Sequence, residues 1–515
     1  MERLISLLGI FTLLGIGYAC SSDRRRIPWR VVVLGILLQA WFALFLVRPE
    51  WVRLAATLTS AACLLALLLP RALGEFAGLV ARGLGVAGAA IVLWEACRHL
   101  DRPWFLAAVL ALALGVVRLP ARPRALALLA ASFAGLLAVP VLLWAGRLPP
   151  DFVYRALTGM AAGISRVAGF ATEGAAFVFG GIVRESPFVF AIDVTAILLV
   201  FSSLMSVLYY VGILPRIVGF LGRVLHKGLG VSGAESLATA ANVFVGQTEA
   251  PLLIRPYLAR MTRSEVMALM TGGFATIAGT VFAVYVGFLE GAGLKRGGAD
   301  LICASVMSAP AAFVFAKLFV PETGVAETRE GGAAVSRDRI GTSLLDALAN
   351  GVTQGIRLAV NIGAMILVFV ALIAMLNALV VFVAREVSPG SDLSFQQLYA
   401  WVFWPFAWLM GVPAEDCLRV GELLGTKTIF NEFLAYRRLG GMIQEGGIST
   451  RAAVLSTYAL CGFANFGSIG VQLGGLSALA PERRPDFARL ALRAMIAAAL
   501  ACQLTACIVG LIGDF

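Results

Sequence analysis

Long apolar blocks alternate with short polar breaks along this chain, and the blocks share a length. Met1 to Cys20 forms the first and a second runs to about Val47, with a basic turn at Arg24, Arg25, Arg26 and Arg30 between them. Blocks 51–70, 74–97, 104–118 and 124–145 follow, then 190–213, 265–289, 299–320, 357–384, 452–476 and 485–512. Most approach the ~20 residues that carry a helix across a bilayer, so the pattern predicts about twelve spans. The first block does not read as a signal peptide, because Glu2 and Arg3 leave a weak basic region and further spans follow at once. The positive-inside rule places the arginine turn in the cytoplasm and Met1 outside. Pro215 to Lys227 differs: with Arg216, Arg223 and Lys227 on its polar side it reads as a basic amphipathic helix at the cytoplasmic interface. Gly324 to Arg339 is a polar loop.

Two segments, 233–260 and 414–442, are apolar at their ends and polar at their middles. A single spanning helix would bring Gln247, Thr248 and Glu249 to the costliest depth of the bilayer. A re-entrant hairpin avoids this. Two half-helices of ~11 residues reach the midplane, where Gly246, Pro251 and Gly425 are expected to permit the turns. Each hairpin precedes a helix interrupted by glycine, at Gly272, Gly273 and Gly279 in one and Gly462, Gly467 and Gly470 in the other. Breaks there would free backbone carbonyls for an ion or a ligand. The two stretches also resemble each other: a glutamate-centred segment (Glu249, Glu432), a turn near Arg260–Arg263 or Gly446–Arg451, then a helix broken at a shared Gly-Phe-Ala. Duplication of this kind underlies many secondary transporters.

Composition agrees with a membrane protein, with 60% apolar residues, 14% charged and a mean hydropathy of +0.90, against about 45–50% apolar in soluble domains. Only His99 and His226 are present, which excludes a histidine-clustered metal centre. The eight cysteines are scattered through apolar runs without a paired spacing and read as small buried hydrophobes. A net charge of +11 is the balance of loops facing anionic lipid rather than nucleic acid. A membrane enzyme using the glutamates as acid and base is disfavoured, since the sequence offers no nucleophile elbow or phosphate loop. Glu173, Glu185 and Glu290 read as satisfied structural acids; Glu249 and Glu432, in midplane turns beside other polar residues, read as functional. Asn242, Thr276 and Ser468 taken singly are as well explained by helix packing.

The motifs in these segments resemble a family. Gly425 to Tyr436, GTKTIFNEFLAY, is similar to the G-x-K-x-x-x-N-E-F-V-A-Y signature of the concentrative nucleoside transporters, with Leu434 at the valine position. Gly246–Pro251 matches its GQTEAP, Gly273–Gly279 its GFATIAG, and Tyr458–Gly470 its YALCGFANFSSIG with Gly467 for the first serine. Phe177–Gly180 and the Arg25–Gln39 region also resemble family landmarks. The likeness covers 1–47 and 152–515; the stretch 51–150 stands outside it as an insertion.

The resemblance implies an all-α polytopic fold with inverted repeats, two re-entrant hairpins and two broken transmembrane helices, divided into a scaffold and a transport domain. Its expected division is 1–50 (two spans), 51–150 (inserted helices), 151–230 (the FVFG segment, a span and the interfacial helix), 231–320 (first repeat), 321–412 (polar loop, scaffold span, amphipathic helix) and 413–515 (second repeat). It further implies a homotrimer in the plasma membrane, the inner membrane if the source is bacterial, importing purine and pyrimidine nucleosides by an elevator mechanism. Carried over by position, Gln247, Thr248 and Glu249 would contact the base with Val281 beside it. Glu432, Asn465 and Ser468 would hold the ribose, with Phe463 packed against the ligand. Asn242, Val245, Thr276 and Ile277 match the sodium site, the apolar members lending carbonyls. The chemistry is consistent, because carboxylates and amides fork onto vicinal hydroxyls and Gln and Thr suit a base edge. A carboxylate could carry a proton in place of sodium, and a nucleoside sensor without flux is the remaining alternative.

Overall fold

The computed structural model describes residues 1–47, 152–180, 190–329, 333, 341–388 and 393–513. The chain divides into one unit of 1–43 with 157–515 and a second of 44–156. The expected spans between 51 and 145, and Glu185, lie outside the described residues. Among the described residues all regular structure is helical.

Helices α1 (Glu2–Ala19) and α2 (Trp29–Val47) flank the arginine turn. They are followed by α3 (Phe152–Phe179), α4 (Phe190–Tyr210) and the amphipathic α5 (Ile213–Leu229). The first repeat begins with a hairpin of α6 (Gly233–Asn242) and helical turns at Ala250–Ile254 and Arg255–Leu258. It continues as α7 (Arg263–Ala275), α8 (Gly279–Gly291) and α9 (Gly297–Phe319). Between the repeats lie α10 (Leu344–Val387) and α11 (Phe395–Leu409). The second repeat has a hairpin of α12 (Cys417–Ile429) and α13 (Glu432–Gln444), then α14 (Thr450–Leu460), α15 (Phe466–Leu479) and α16 (Arg484–Ile512). Six helical stretches among the described residues are long and apolar enough to cross a membrane: Glu2–Ala19, Ala191–Tyr210, Arg263–Gly291, Gly297–Phe319, Leu344–Val387 and Pro481–Ile512.

The apolar block at 357–384 marks only the later part of its helix. α10 runs for 44 residues, about 66 Å at 1.5 Å per residue and well beyond a bilayer's hydrocarbon. Its polar first turns are begun by Ser343, whose hydroxyl accepts from Asp346 N. The buried positions of α10 are Ala347, Gly351, Gly355 and Ala359, one small residue every four. A Cβ at Gly351 would stand 2.5 Å from Ser203 Cα, and one at Gly355 2.9 Å from Leu199 Cα. This seam lets the backbones of α4 and α10 touch, the way helices associate where no hydrophobic force acts between them.

The first repeat is locked at its base by charge. Ser232 with Glu235 and Thr262 with Glu265 form capping boxes at the starts of α6 and α7. The buried ammonium of Lys317, near the end of α9, donates to Glu235 Oε2 at 2.7 Å and Ser264 Oγ at 3.0 Å, with Glu322 Oε2 3.8 Å away. Paired in this way the carboxylate and the lysine satisfy one another away from water, and Glu235 and Glu265 are also favoured by the helix N-termini they cap. On the other side Arg483 Nη1 donates to the carbonyls of Leu258, Ala259 and Met261, holding the end of the first hairpin to the start of α16.

Candidate functional site

The first hairpin turns where its glycine falls. After Asn242 the chain leaves the helix, and the Gly246 carbonyl accepts from Glu249 N at 3.1 Å and Ala250 N at 3.0 Å. A Cβ at 246 would lie 2.3 Å from Glu249 Oε2, so only glycine lets that carboxylate fold over the turn. Pro251 sits in the first turn of the returning arm. The second hairpin departs from expectation. Gly425 is inside α12, and the turn falls at Phe430–Asn431, where the Asn431 side chain caps α13 by accepting from Leu434 N at 2.9 Å. Gly425 serves packing instead, since a Cβ there would stand 2.3 Å from the Tyr399 ring of α11, and one at Gly421 2.5 Å from the Ala400 carbonyl.

The helix breaks also sit differently from the glycines that suggested them. Gly272 and Gly273 are within α7, and the chain extends only at Thr276 (ψ 161°) to Ala278 (ψ 141°). Glycine at 272 and 273 gives close approach, because Cβ atoms there would meet Thr239 Oγ1 at 3.1 Å and Gln472 Nε2 at 2.5 Å. Gly279 restarts the helix, and its N–H donates to the Phe244 carbonyl at 3.0 Å, fastening the hairpin tip into the break. In the second broken helix the interruption is at Cys461–Asn465, while Gly467 and Gly470 are helical. Gly462 has φ +136°, and a Cβ there would be 2.8 Å from the Ala275 carbonyl, so the two breaks lie against each other. The Cys502 thiol of α16 donates to Cys461 O at 2.8 Å and faces Ala275 O at 3.7 Å, a polar duty the sequence reading did not assign to any cysteine.

Around these breaks the expected residues gather in two groups. Glu432 is buried; its Oε1 accepts from the Tyr285 hydroxyl and its Oε2 from Asn465 Nδ2, both at 2.9 Å. Asn465 Oδ1 in turn accepts from Ser468 N at 2.8 Å, capping α15. Tyr285 lies one turn beyond Val281 on α8 and stacks on Tyr436 with centroids 4.6 Å apart. Phe463 is half-buried in the break, its carbonyl accepting from Asn465 N. Each carboxylate oxygen of Glu432 keeps a lone pair for a hydroxyl donor. The tip of the first hairpin meets the same helix, because Gly475 of α15 leaves room for the Thr248 side chain 3.1 Å from where a Cβ would stand. Gln247 is buried with its Oε1 unpartnered, and Glu249 is exposed. No hydrogen bond or ion pair joins Glu249 to Glu432 among the described residues.

The second group surrounds Gly272. Asn242 is buried with both amide atoms unpartnered, as is the Thr239 hydroxyl. Thr276 Oγ1 donates to Gly272 O at 2.9 Å, and the position a Cβ would take at 272 is 3.5 Å from Asn242 Nδ2. Val245 and Ile277 flank the Phe244–Gly279 bond in non-helical chain, where carbonyls are released from the helical ladder. The set offers oxygen donors only, apart from the Asn242 amide nitrogen. Among the described residues no group of three or more His, Cys, Asp or Glu could hold a metal ion.

Three family models match this chain: "Na+ dependent nucleoside transporter N-terminus" over residues 8–63, "Nucleoside recognition" over 191–292 and "Na+ dependent nucleoside transporter C-terminus" over 300–510. A transporter from Haemophilus influenzae is 42% identical over 364 residues, 69% of this chain and 85% of that protein. The chain belongs to the concentrative nucleoside transporter family. It is therefore a multi-pass membrane transporter and not an enzyme. Sodium/nucleoside cotransporter 1 of Rattus norvegicus is 39% identical over 84% of this chain and 67% of its own length. Solute carrier family 28 member 3 of Mus musculus is 39% identical over 72% of this chain, which spans only 53% of it. Among solved structures, the transporter CNTnw in an inward-facing substrate-bound state is 34% identical with a TM-score of 0.71, covering 99% of this chain and 98% of that one. An outward-facing variant of CNTnw gives 33% and 0.74, covering 99% of each. The two hairpins and two broken helices expected from the sequence are present in this family member, with the second turn at Phe430–Asn431 in place of Gly425.

Proposed function

We propose that this family member imports nucleosides with sodium, through alternating access in which the two hairpins and broken helices move together past α4 and α10. The observation that carries the reading is the Glu432 carboxylate at the start of α13, buried and oriented by Tyr285 and by Asn465, which begins α15, the helix that also receives the tip of the other hairpin. A neutral ligand with vicinal hydroxyls at one end and a donor–acceptor edge at the other fits that arrangement. Glu432, Asn465 and Ser468 take the ribose with Phe463 packed beside it, and Gln247, Thr248 and Glu249 take the base with Val281 beside it. Because a buried hydroxyl-binding group is left unpaired by a ligand lacking the hydroxyl, free nucleobases are poor substrates in this reading. Purine and pyrimidine nucleosides are both expected.

Sodium is the coupled ion because Asn242 is buried with an unpartnered amide oxygen beside Thr276 and the freed carbonyls of Val245 and Ile277. Unwound backbone near a half-helix end is where such ions bind. The names of the matching family models, "Na+ dependent nucleoside transporter", support sodium over a proton. Assembly as a homotrimer accords with the long apolar face of α10, where Leu367, Met375, Leu379 and Phe382 are all more than half exposed. Uptake of radiolabelled uridine and adenosine into proteoliposomes tests the function. Accumulation should require an inward sodium gradient; no uptake of any common nucleoside under sodium or proton gradients overturns the reading.

A further inference from the structure

Gln472 lies on α15 between Ser468 and Gly475. On α15 the residues Ser468, Gln472 and Gly475 follow at intervals of four and three and share one face. Ser468 belongs to the Glu432–Asn465 group, and Gly475 receives Thr248 from the hairpin tip. Gln472 is 2% exposed, and its Nε2 donates to the Met270 carbonyl of α7 at 3.2 Å. Its Oε1 is buried with no partner. The amide cannot be turned to relieve this, because a carbonyl only accepts and the Met270 oxygen must face the NH2 group. Glycine at 273 makes the contact possible: the point where its Cβ would stand is 2.5 Å from Gln472 Nε2 and 3.1 Å from Gln247 Cβ. The two glutamine side chains therefore both border Gly273, and Gln247 too has a buried Oε1 without a partner. A buried acceptor left unpaired costs free energy unless a donor arrives, and the two glutamines each carry one.

We propose that Gln472 is a nucleoside-binding residue, its Oε1 accepting a hydrogen bond from an N–H of the base while Met270 fixes the amide. The inference rests on the nucleoside reading above and adds to it a base contact from the second repeat, so that both repeats hold the base. Gln472 would then contribute to the choice among nucleosides, since bases differ in where they carry N–H donors.

The test is sodium-driven uptake by Gln472→Met, which matches the side chain in bulk and removes both polar atoms. Gln472→Leu is a second apolar variant should the first not fold. Both are compared with wild type for uridine, cytidine, adenosine, guanosine and inosine. The expected result is a KM raised about tenfold for the nucleosides that use the contact, with changed ratios between them. Vmax should stay within about twofold, and half-saturation by sodium at saturating nucleoside should not move. The stabilisation of purified protein by nucleoside against heat should fall in parallel. Unchanged KM values and ratios in a folded variant overturn the proposal while leaving nucleoside transport itself intact. A uniform fall in Vmax and melting temperature would reduce Gln472 to a staple between α7 and α15, and a shift confined to sodium dependence would make it an ion ligand; either overturns it. Failure of wild type to transport any nucleoside would instead strike the reading on which the proposal stands.

Discussion

The side chain on which the site turns is Glu432, and its two partners come from different parts of the chain. Asn465 was legible in the sequence only through the Tyr458–Gly470 motif, whose resemblance implied a ribose contact there. Tyr285 was not, since a tyrosine among apolar residues looks like core until its hydroxyl is seen 2.9 Å from Glu432 Oε1. Tyr285→Phe removes that donor while keeping the stack on Tyr436. We expect KM for ribonucleosides to rise about tenfold in uptake assays, as for loss of a hydrogen bond to a charged group; an unchanged KM would mean that Asn465 alone orients the carboxylate. Glu432→Ala should erase discrimination between nucleoside and free base, measured by competition, and retained discrimination would contradict the ribose role. At the second group, Asn242→Ala should raise the sodium needed for half-maximal uptake more than it weakens nucleoside binding at saturating sodium. Equal losses would argue against an ion role.

At the level of elements, the helices, hairpins and breaks were legible because hydrophobic length and glycine are local signals. The function of each glycine was not. Gly272, Gly273, Gly425, Gly467 and Gly470 were read as turn or break formers and are helical; the breaks occur one to a few residues away, at Thr276–Ala278 and Cys461–Asn465. A helix tolerates glycine where another backbone or side chain must come close, and sequence alone does not tell that use from a break. Gly462 does both, and Gly462→Ala should separate the two breaks: its φ of +136° strains any other residue and its Cβ would collide with the Ala275 carbonyl. We expect transport to be abolished in protein that still reaches the membrane, read by uptake against surface expression. On α10, Gly351→Leu drives a side chain into the backbone of α4 at Ser203. That should cost about 2 kcal/mol or more, visible as a lowered melting temperature in detergent, whereas Val325→Ala, in the exposed loop after α9, should leave stability nearly unchanged.

For the whole molecule, the two repeats come together through contacts that no local pattern encodes. Gly462 meets Ala275, Thr248 meets Gly475, and Cys502 reaches the carbonyls at both breaks. Together these make one site from segments about 200 residues apart. We expect the exposed apolar length of α10 to pack against further copies of the chain, and native mass spectrometry of protein in nanodiscs should show three. A monomer that transports at wild-type rate would remove the trimer from the mechanism.

The sequence by itself determined the membrane class, the repeat, the hairpins and the family, because apolar length, midplane polar residues and motif spacing are written residue by residue. Only the tertiary structure decided which glycines turn the chain and which admit a neighbour, that Tyr285 bonds Glu432 and Gln472 bonds Met270, and that the freed carbonyls find Cys502. Those outcomes depend on which distant surfaces meet at van der Waals distance, and a spacing along the chain carries no record of that.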